Sequence, residues 1–138
     1  MSFDLVKNGI VGRLNKLGYS ESKEAENFKD ASTHEYGNTF ILKCLLGEMG
    51  AGSETLIDRF YDNQEWHIQI AFKKTSNNEV IVRDDVHRKK DIILKDIDNP
   101  TNWRSFVRIL KYKSWEVQEN ADYYVLSIRL YVIDTYTY

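Results

Sequence analysis

The alternation of apolar and polar positions is strongest at the end of the chain, in residues 123–138. Every second residue from Leu126 to Val132 is aliphatic. These side chains would share one face of a strand, because successive side chains of a strand point to opposite faces. The other face is only partly polar, and it carries Val125, Ser127, Arg129, Tyr131 and Ile133. A strand with two partly apolar faces needs a cover on both, from this chain or from another subunit.

The same alternation predicts three earlier strands, at residues 38–47, 64–74 and 106–118. The turn at residues 119–122 joins the third of them to the last strand, so this pair forms an antiparallel hairpin. The first two pair in the same way across a longer connection that begins with the flexible link 47–55. Residues 19–37 are polar without a strong period, which predicts an irregular segment.

Apolar residues at helical spacing predict two helices, at residues 2–17 and 78–97. The stripe of the first helix consists of Phe3, Val6, Ile10, Leu14 and Leu17. The stripe of the second consists of Val82, Val86, Ile93 and Ile97. Gly18 suits a left-handed residue at the end of the first helix. Asn77 or Asn78 can cap the second, and Pro100 follows its end.

The element order is therefore helix, strand, strand, helix, strand, strand (α-β-β-α-β-β). This order predicts an α+β fold in a single domain over residues 1–138. We expect an antiparallel, mostly four-stranded sheet with both helices packed on one face. The opposite face would then meet either solvent or a partner.

Composition narrows the function classes. The chain has 138 residues, 42% of them hydrophobic, and a net charge of −2, which argues against a dedicated nucleic-acid binder. Nine Tyr, six Phe and three Trp make it rich in the aromatic residues that are enriched at protein interfaces. The amphipathic start is not typical of a signal peptide, and no apolar run approaches the ~20 residues of a membrane span. We therefore expect no membrane association.

The only cysteine, Cys44, excludes a disulfide within the chain and a thiolate metal site. A single cysteine fits a reducing compartment. Because Cys44 lies in an apolar, alternating run, the sequence predicts that it is a small core residue.

No motif indicates catalysis. The glycine-rich residues 47–53 lack the Gly-Lys-Ser/Thr ending of a phosphate-binding loop, and there is no Gly-x-Ser-x-Gly sequence. The densest group of carboxylates consists of Asp58, Asp62 and Glu65. The start of a strand is a simpler interpretation of this segment than a nuclease centre.

The three histidines, His34, His67 and His87, have no second histidine or cysteine at metal-ligand spacing. His87 could share a helix face with Asp84 and Asp91, but a solvated charged face is the simpler interpretation. We expect no enzyme activity, no metal and no cofactor.

The third strand combines basic and aromatic residues, as single-strand nucleic-acid binders do. Strict alternation places Arg104, Arg108 and Tyr112 on one side of it. Lys111, Lys113 and Trp115 would lie on the other side. An edge strand guarded by charge is the simpler interpretation, and a nucleic-acid surface remains the alternative.

The order of elements resembles the tail-terminator proteins of long-tailed bacteriophages, and it is similar to their relatives in contractile tails and phage-like particles. The resemblance includes the end of the first helix at Leu17-Gly18-Tyr19 and the terminal hairpin through Tyr131-Val132-Ile133. The segment Ile97 to Trp103, with Asn99-Pro100, is its closest part. It covers most of the chain in pattern rather than in a diagnostic motif, and the long polar stretch 20–37 departs from it.

The resemblance implies a homo-hexameric ring at the head-proximal end of the tail tube, in a virion assembled in the host cytoplasm. Its partners would be the tail tube protein and a head-completion or neck protein, with DNA only as passing cargo. The alternatives are another neck or head–tail connector component, or a small nucleic-acid-binding module using Arg104, Arg108 and Tyr112. The expected interface residues are Arg104, Arg108, Tyr112, Trp115, Val125, Arg129, Tyr131 and Ile133.

Overall fold

A computed structural model of the chain describes residues 3–22, 38–50, 59–74, 79–103, 107–120 and 122–137. The helices are α1 (Phe3–Lys16) and α2 (Glu79–Ile97), with a short 3-10 helix at Pro100–Asn102. The strands are β1 (Ser20–Glu21), β2 (Thr39–Met49), β3 (Arg59–Lys73), β4 (Ile109–Glu119) and β5 (Tyr123–Thr137). The predicted caps Asn77 and Asn78 lie outside the described residues.

The strands form one sheet in the order β1-β2-β3-β5-β4. Strands β2 to β5 pair antiparallel, so the α+β class and both predicted hairpins are confirmed. The predicted four-stranded sheet is incomplete, because β1 adds a fifth strand that pairs parallel with the start of β2. Two residues are too few to leave an alternation in the sequence, and β1 falls within the segment predicted to be irregular. The rest of that segment, residues 23–37, lies outside the described residues.

Both helices pack on one face of the sheet and close the main core there. The sheet contributes cross-strand pairs such as Trp66 with Leu130 and Ile68 with Ile128, all fully buried. The buried helix residues are Val6, Ile10, Leu14, Val86, Ile93 and Ile97. An ion pair between Arg13 and Asp96 joins the two helices, with a 3.1 Å hydrogen bond from Arg13 Nε.

Helix α1 ends as its sequence predicts. Gly18 adopts a left-handed backbone, with φ of 99°. The N–H of Tyr19 donates to the carbonyl of Leu14 at 3.0 Å, and that of Gly18 donates to Asn15 at 3.0 Å. This pair of bonds satisfies two carbonyls of the last helical turn. Tyr19 is thereby placed against the sheet, where its ring meets Phe72 edge-on.

The two outer long strands, β2 and β4, each contain a β-bulge, and the two bulges lie at almost the same level along the sheet. The β2–β3 register shifts between Cys44 and Leu46, and the β4–β5 register shifts between Tyr112 and Ser114. A bulge bends its strand and reverses which face the following side chains occupy. From Lys43 to Met49, which we call the outer half of β2, the residues are exposed.

The prediction that Cys44 is a core residue is wrong, because its side chain is exposed. Its cross-strand partner Trp66 is buried under the ring of Phe3, at a centroid distance of 5.3 Å. Phe3 is the first residue of α1, so the helical cover ends over Trp66 and does not extend outward to β2. Partial desolvation still raises the pKa of the Cys44 thiol.

The sheet face that does not carry the helices is called the open face below. At one end of it, four residues form a small second cluster of buried side chains: Ile41, Ala71, Tyr123 and Val125. Val125 is only 5% exposed. Its side chain is therefore already packed within the chain, and its predicted role at an interface stays a prediction.

Candidate functional site

The open face is defined by strand register. Its central residues are Glu65, His67 and Gln69 on β3 with their direct partners Tyr131, Arg129 and Ser127 on β5. Further side chains on this face come from Lys43 and Leu46 on β2 and from Lys111, Ser114 and Glu116 on β4. The face combines cations, hydroxyls and exposed apolar groups.

Trp115 lies on the helix-packed face together with Tyr112, contrary to the predicted separation of the two. The bulge at Lys113 inserts one residue between them, so Tyr112 pairs with Leu130 and Trp115 with Ile128. Trp115 is held there by α2. Its ring meets the imidazole of His87 edge-on at 5.8 Å and lies 3.9 Å from Nζ of Lys90.

His87 therefore packs against an indole ring. Among the described residues no group of three His, Cys, Asp or Glu side chains could hold a metal ion.

Neither described helix is long and apolar enough to cross a bilayer. His34 and Asp58 lie outside the described residues.

Tyr112 marks where the outer edge of β4 meets α2. Its N–H donates to Oδ1 of Asp98 at 3.3 Å, so it points away from β5. A shallow groove of about 520 Å³ lies beside it, lined by Asp91, Leu94, Lys95, Asp98, Asn99 and Tyr112. One N–H at the free edge of the sheet is thus occupied by a side chain of the same protein.

Arg129 and His67 form the best-defined polar contact of the open face. Nε of Arg129 donates to Nε2 of His67 at 2.8 Å. Burial lowers the pKa of His67 below 6.5, and the charges of Arg129 and Lys43 lower it further, against the opposing effect of Glu65. His67 is therefore neutral at neutral pH and accepts this hydrogen bond, which orients the guanidinium.

A polar groove of about 560 Å³ adjoins this contact. Its lining consists of His67, Gln69, Ser114, Trp115, Glu116, Gln118, Ser127 and Arg129. Within the described residues, Oε1 of Gln69 is the one buried side-chain oxygen or nitrogen without a hydrogen-bond partner. Native proteins rarely leave such an atom unpaired, so it calls for an explanation.

The other cations of the open face, Lys113, Arg108 and Lys111, each have a different kind of neighbour. Lys113 lies 3.7 Å from Glu65, and the guanidinium of Arg108 stacks over Tyr61 at 4.3 Å from the ring centroid. Lys111 lies directly opposite Tyr131, which is 40% exposed.

A second polar network lies on the helix-packed face, where β3 begins and β5 ends. Trp66 Nε1 donates to Gln64 Oε1 at 2.8 Å, and Gln64 Nε2 donates to Asp62 at 2.7 Å and to the Tyr136 hydroxyl at 3.3 Å. Asp134 faces Asp62 across the strands. Burial raises the pKa of Asp134, and Asp62 raises it further against the N–H of Thr135.

The predicted interface residues are thus divided between surfaces. Arg108, Arg129, Tyr131 and Ile133 come together on the open face. Tyr112 and Trp115 lie on the other face, Val125 is buried, and Arg104 is outside the described residues. His67 and Gln69 belong to the site and were not among the predicted interface residues. Their alternation with Trp66, Ile68 and Ile70 indicates the open face, but only the β3–β5 register places them beside Arg129 and Ser127.

No protein-family model matches the chain, and the search of curated proteins finds no match either. The resemblance to tail terminators therefore stays a prediction that depends on the order of the helices and strands.

Proposed function

We propose that the protein is a structural assembly component, a phage tail terminator that forms a ring, caps the tail tube and joins it to the neck. The observation that supports the proposal is that the two outer strands, β2 and β4, have largely unpaired outer edges. Nothing in the described chain pairs with β4 on its outer side, and β1 covers only the first two residues of β2. An exposed edge of this length attracts another strand unless assembly uses it.

The strand directions suit a head-to-tail contact. Strands β2, β3, β5 and β4 alternate in direction, so β2 and β4 run in opposite directions. A neighbouring copy that places its β2 beside β4 would therefore continue the antiparallel sheet. Such a contact joins two different patches and closes into a ring when the rotation per subunit is right, which for a hexamer is one-sixth of a turn.

The charges along the two edges agree with this pairing. If the rows of the sheet continue into the next copy, Lys111 on β4 lies diagonal to Glu48 of that copy, and Glu116 lies diagonal to its Lys43. Opposite charges at such cross-strand positions stabilise pairing by about 0.2 to 1 kcal/mol each. The same register also places Lys111 diagonal to Lys43 of the next copy, so two opposite-charge contacts outweigh one like-charge contact.

Apolar contact would supply most of the interaction energy. The outer half of β2 exposes Leu45, Leu46 and Met49, which are 57%, 59% and 65% exposed. They lie along one strand edge, with Leu46 on the open face and Met49 on the helix-packed face, and exposed apolar residues of this size are typical of an interaction site. The next copy's Tyr112 and Lys111 would lie opposite this segment.

A charge exchange tests the contact. We expect Lys111→Glu and Glu48→Lys each to lower the ring population measured by light scattering over a range of concentrations. The double variant should restore it, because the charges are again opposite. Lys16→Glu, on an exposed position in the last turn of α1, is the matched control. Failure of the double variant to recover assembly, with all variants folded, would exclude this pairing.

A second measurement separates a terminator from another neck component. Purified tail tube protein is allowed to polymerise with and without the ring, and tube lengths are measured by electron microscopy. A terminator stops growth at one end, so the tubes should be shorter at a ring-to-tube ratio near one per tube. Tubes of unchanged length with rings that bind neck protein would favour the connector alternative.

A further inference from the structure

Three cations without an acidic partner share the open face with the exposed Tyr131: Lys111 and Arg129 next to it, and Lys43 two strands away on β2. Among the described residues, neither Lys43, Lys111 nor Arg129 forms an ion pair. Tyr131 lies between Lys111, its direct cross-strand partner, and Arg129, two residues earlier on the same face. Glu65, the β3 partner of Tyr131, is paired with Lys113, and Glu116 lies opposite Ser127, so cations outnumber carboxylates on this part of the surface but do not exclude them.

Arg129 is oriented for an anion. Its Nε is bound to His67, which fixes the plane of the guanidinium and leaves both terminal amino groups without a described partner. Two parallel N–H groups in this arrangement match the oxygens of a phosphate group. A flexible lysine at the same position would lack this geometry.

The groove beside Arg129 is lined by Gln69, whose buried Oε1 has no hydrogen-bond partner, and also by the acidic Glu116. An acceptor that is buried and unpaired is satisfied when a ligand brings an N–H group to it. The groove, at about 560 Å³, has room for a planar ring of nucleobase size. Ser127 and Ser114, also in its lining, can donate or accept further hydrogen bonds.

We propose that the open face binds single-stranded nucleic acid, with a phosphate on Arg129, a base in the groove against Gln69 and a neighbouring base stacked on Tyr131. Cations alone would fit any polyanion. An exposed aromatic ring and an orphan acceptor beside an oriented arginine fit a strand whose bases are unpaired. A duplex would keep its bases out of reach of both groups.

Arg129, Tyr131 and Gln69 lie on the two central strands, so a monomer contains them, and only Lys43 and Lys111 belong both to this surface and to the strand edges of the proposed ring. The two proposals can therefore fail independently. A chain that stays monomeric and binds nucleic acid would support this proposal and contradict the ring, and a ring without affinity for nucleic acid would do the reverse.

The experiment is a fluorescence anisotropy titration of labelled 20-residue oligothymidylate with the full chain at 50 and 200 mM salt. With about three phosphate contacts, we expect the affinity to fall on the order of tenfold between the two salt concentrations. No binding at 50 mM salt, or affinity independent of salt, would overturn the proposal. Equal displacement of the DNA by polyglutamate of matched charge would also overturn it, because the surface would then accept any polyanion.

Three variants locate the site, each checked for folding by circular dichroism. Arg129→Gln and Tyr131→Ala should each weaken binding about tenfold. Gln69→Leu should weaken it severalfold without loss of stability, and an unchanged affinity would exclude a base in the groove. Lys95→Gln on α2 removes the same charge as Arg129→Gln at a distance from the open face. An equal loss in this control would show diffuse attraction and overturn the proposed site.

Discussion

Asp62 on β3 and Asp134 on β5 lie directly opposite each other on the helix-packed face of the sheet. Asp134 is only 6% exposed, and burial together with Asp62 raises its pKa above 3.8. Two carboxylates in one cross-strand pair destabilise the sheet when both are charged. The pair remains because Gln64 binds Asp62 and the N–H of Thr135 binds Asp134.

We expect Asp134→Asn to stabilise the protein at pH 7, by about 0.5 kcal/mol as for a like-charge cross-strand pair. The folded chain holds the proton of Asp134 at a pH where the unfolded chain has lost it. Stability therefore falls as pH rises from 3.8 through the folded pKa. The gain in the variant should vanish near pH 3. Urea midpoints at both pH values measure it, with the exposed Asp122→Asn as control, and a gain that persists at pH 3 would contradict this cause.

His67 predicts the opposite dependence on pH. Its pKa is lowered from 6.5, first by burial and then by Arg129, so the unfolded chain binds this proton at a higher pH than the folded chain. The contribution of His67 to stability is therefore complete above pH 6.5 and decreases as pH falls through the folded pKa. We expect the difference in urea midpoint between wild type and His67→Gln to decrease from pH 7.5 to 5.5. A difference that grows on acidification would contradict this sign.

The local sequence pattern predicted the helices and strands better than it predicted the contacts between them. The alternation of β5 and β3 correctly indicated which side chains face the helices, since those strands pair without a bulge over fifteen residues each. Cys44 and Trp115 were placed wrongly for two different reasons. A bulge that no local pattern marks reverses the side of Trp115, and Cys44 is uncovered because the start of α1 at Phe3 covers only its partner Trp66. The contact of Arg129 with His67 depends on register between strands 62 residues apart in sequence.

Neighbouring isoleucines of α2 test the helix packing. Ile93 is 1% exposed in the core, and Ile92 is 58% exposed. Ile93→Ala should reduce the free energy of unfolding by about 3 kcal/mol, because it leaves a cavity against the sheet. Ile92→Ala should change it by less than about 0.5 kcal/mol. Both substitutions introduce the same residue into the same helix, so similar losses in chemical denaturation would contradict the packing of α2.

Asp98 occupies the outward N–H of Tyr112 and therefore competes with a strand that pairs with β4. Removing this acceptor should favour self-association, with a dissociation constant lowered a fewfold, since one exposed hydrogen bond contributes about 0.5 to 1 kcal/mol. Asp98→Ala and the control Asp91→Ala, which lies in the same groove without this bond, would be compared by light scattering. Equal association of the two variants would exclude competition by Asp98.

Cys44 reports on the edge of β2 because it is exposed and is the only thiol of the chain. We expect one equivalent of Ellman's reagent to react with the folded protein, more slowly than with a free thiol, because the raised pKa reduces the thiolate fraction. If β2 pairs with β4 of a neighbouring copy, assembly should slow the reaction further, and prior alkylation with N-ethylmaleimide should weaken assembly without unfolding the chain. A Cys44→Ser variant is the control for alkylation. Equal reaction rates in the monomer and the ring would mean that the outer half of β2 stays uncovered, and the subunit contact would then have to lie elsewhere on the sheet.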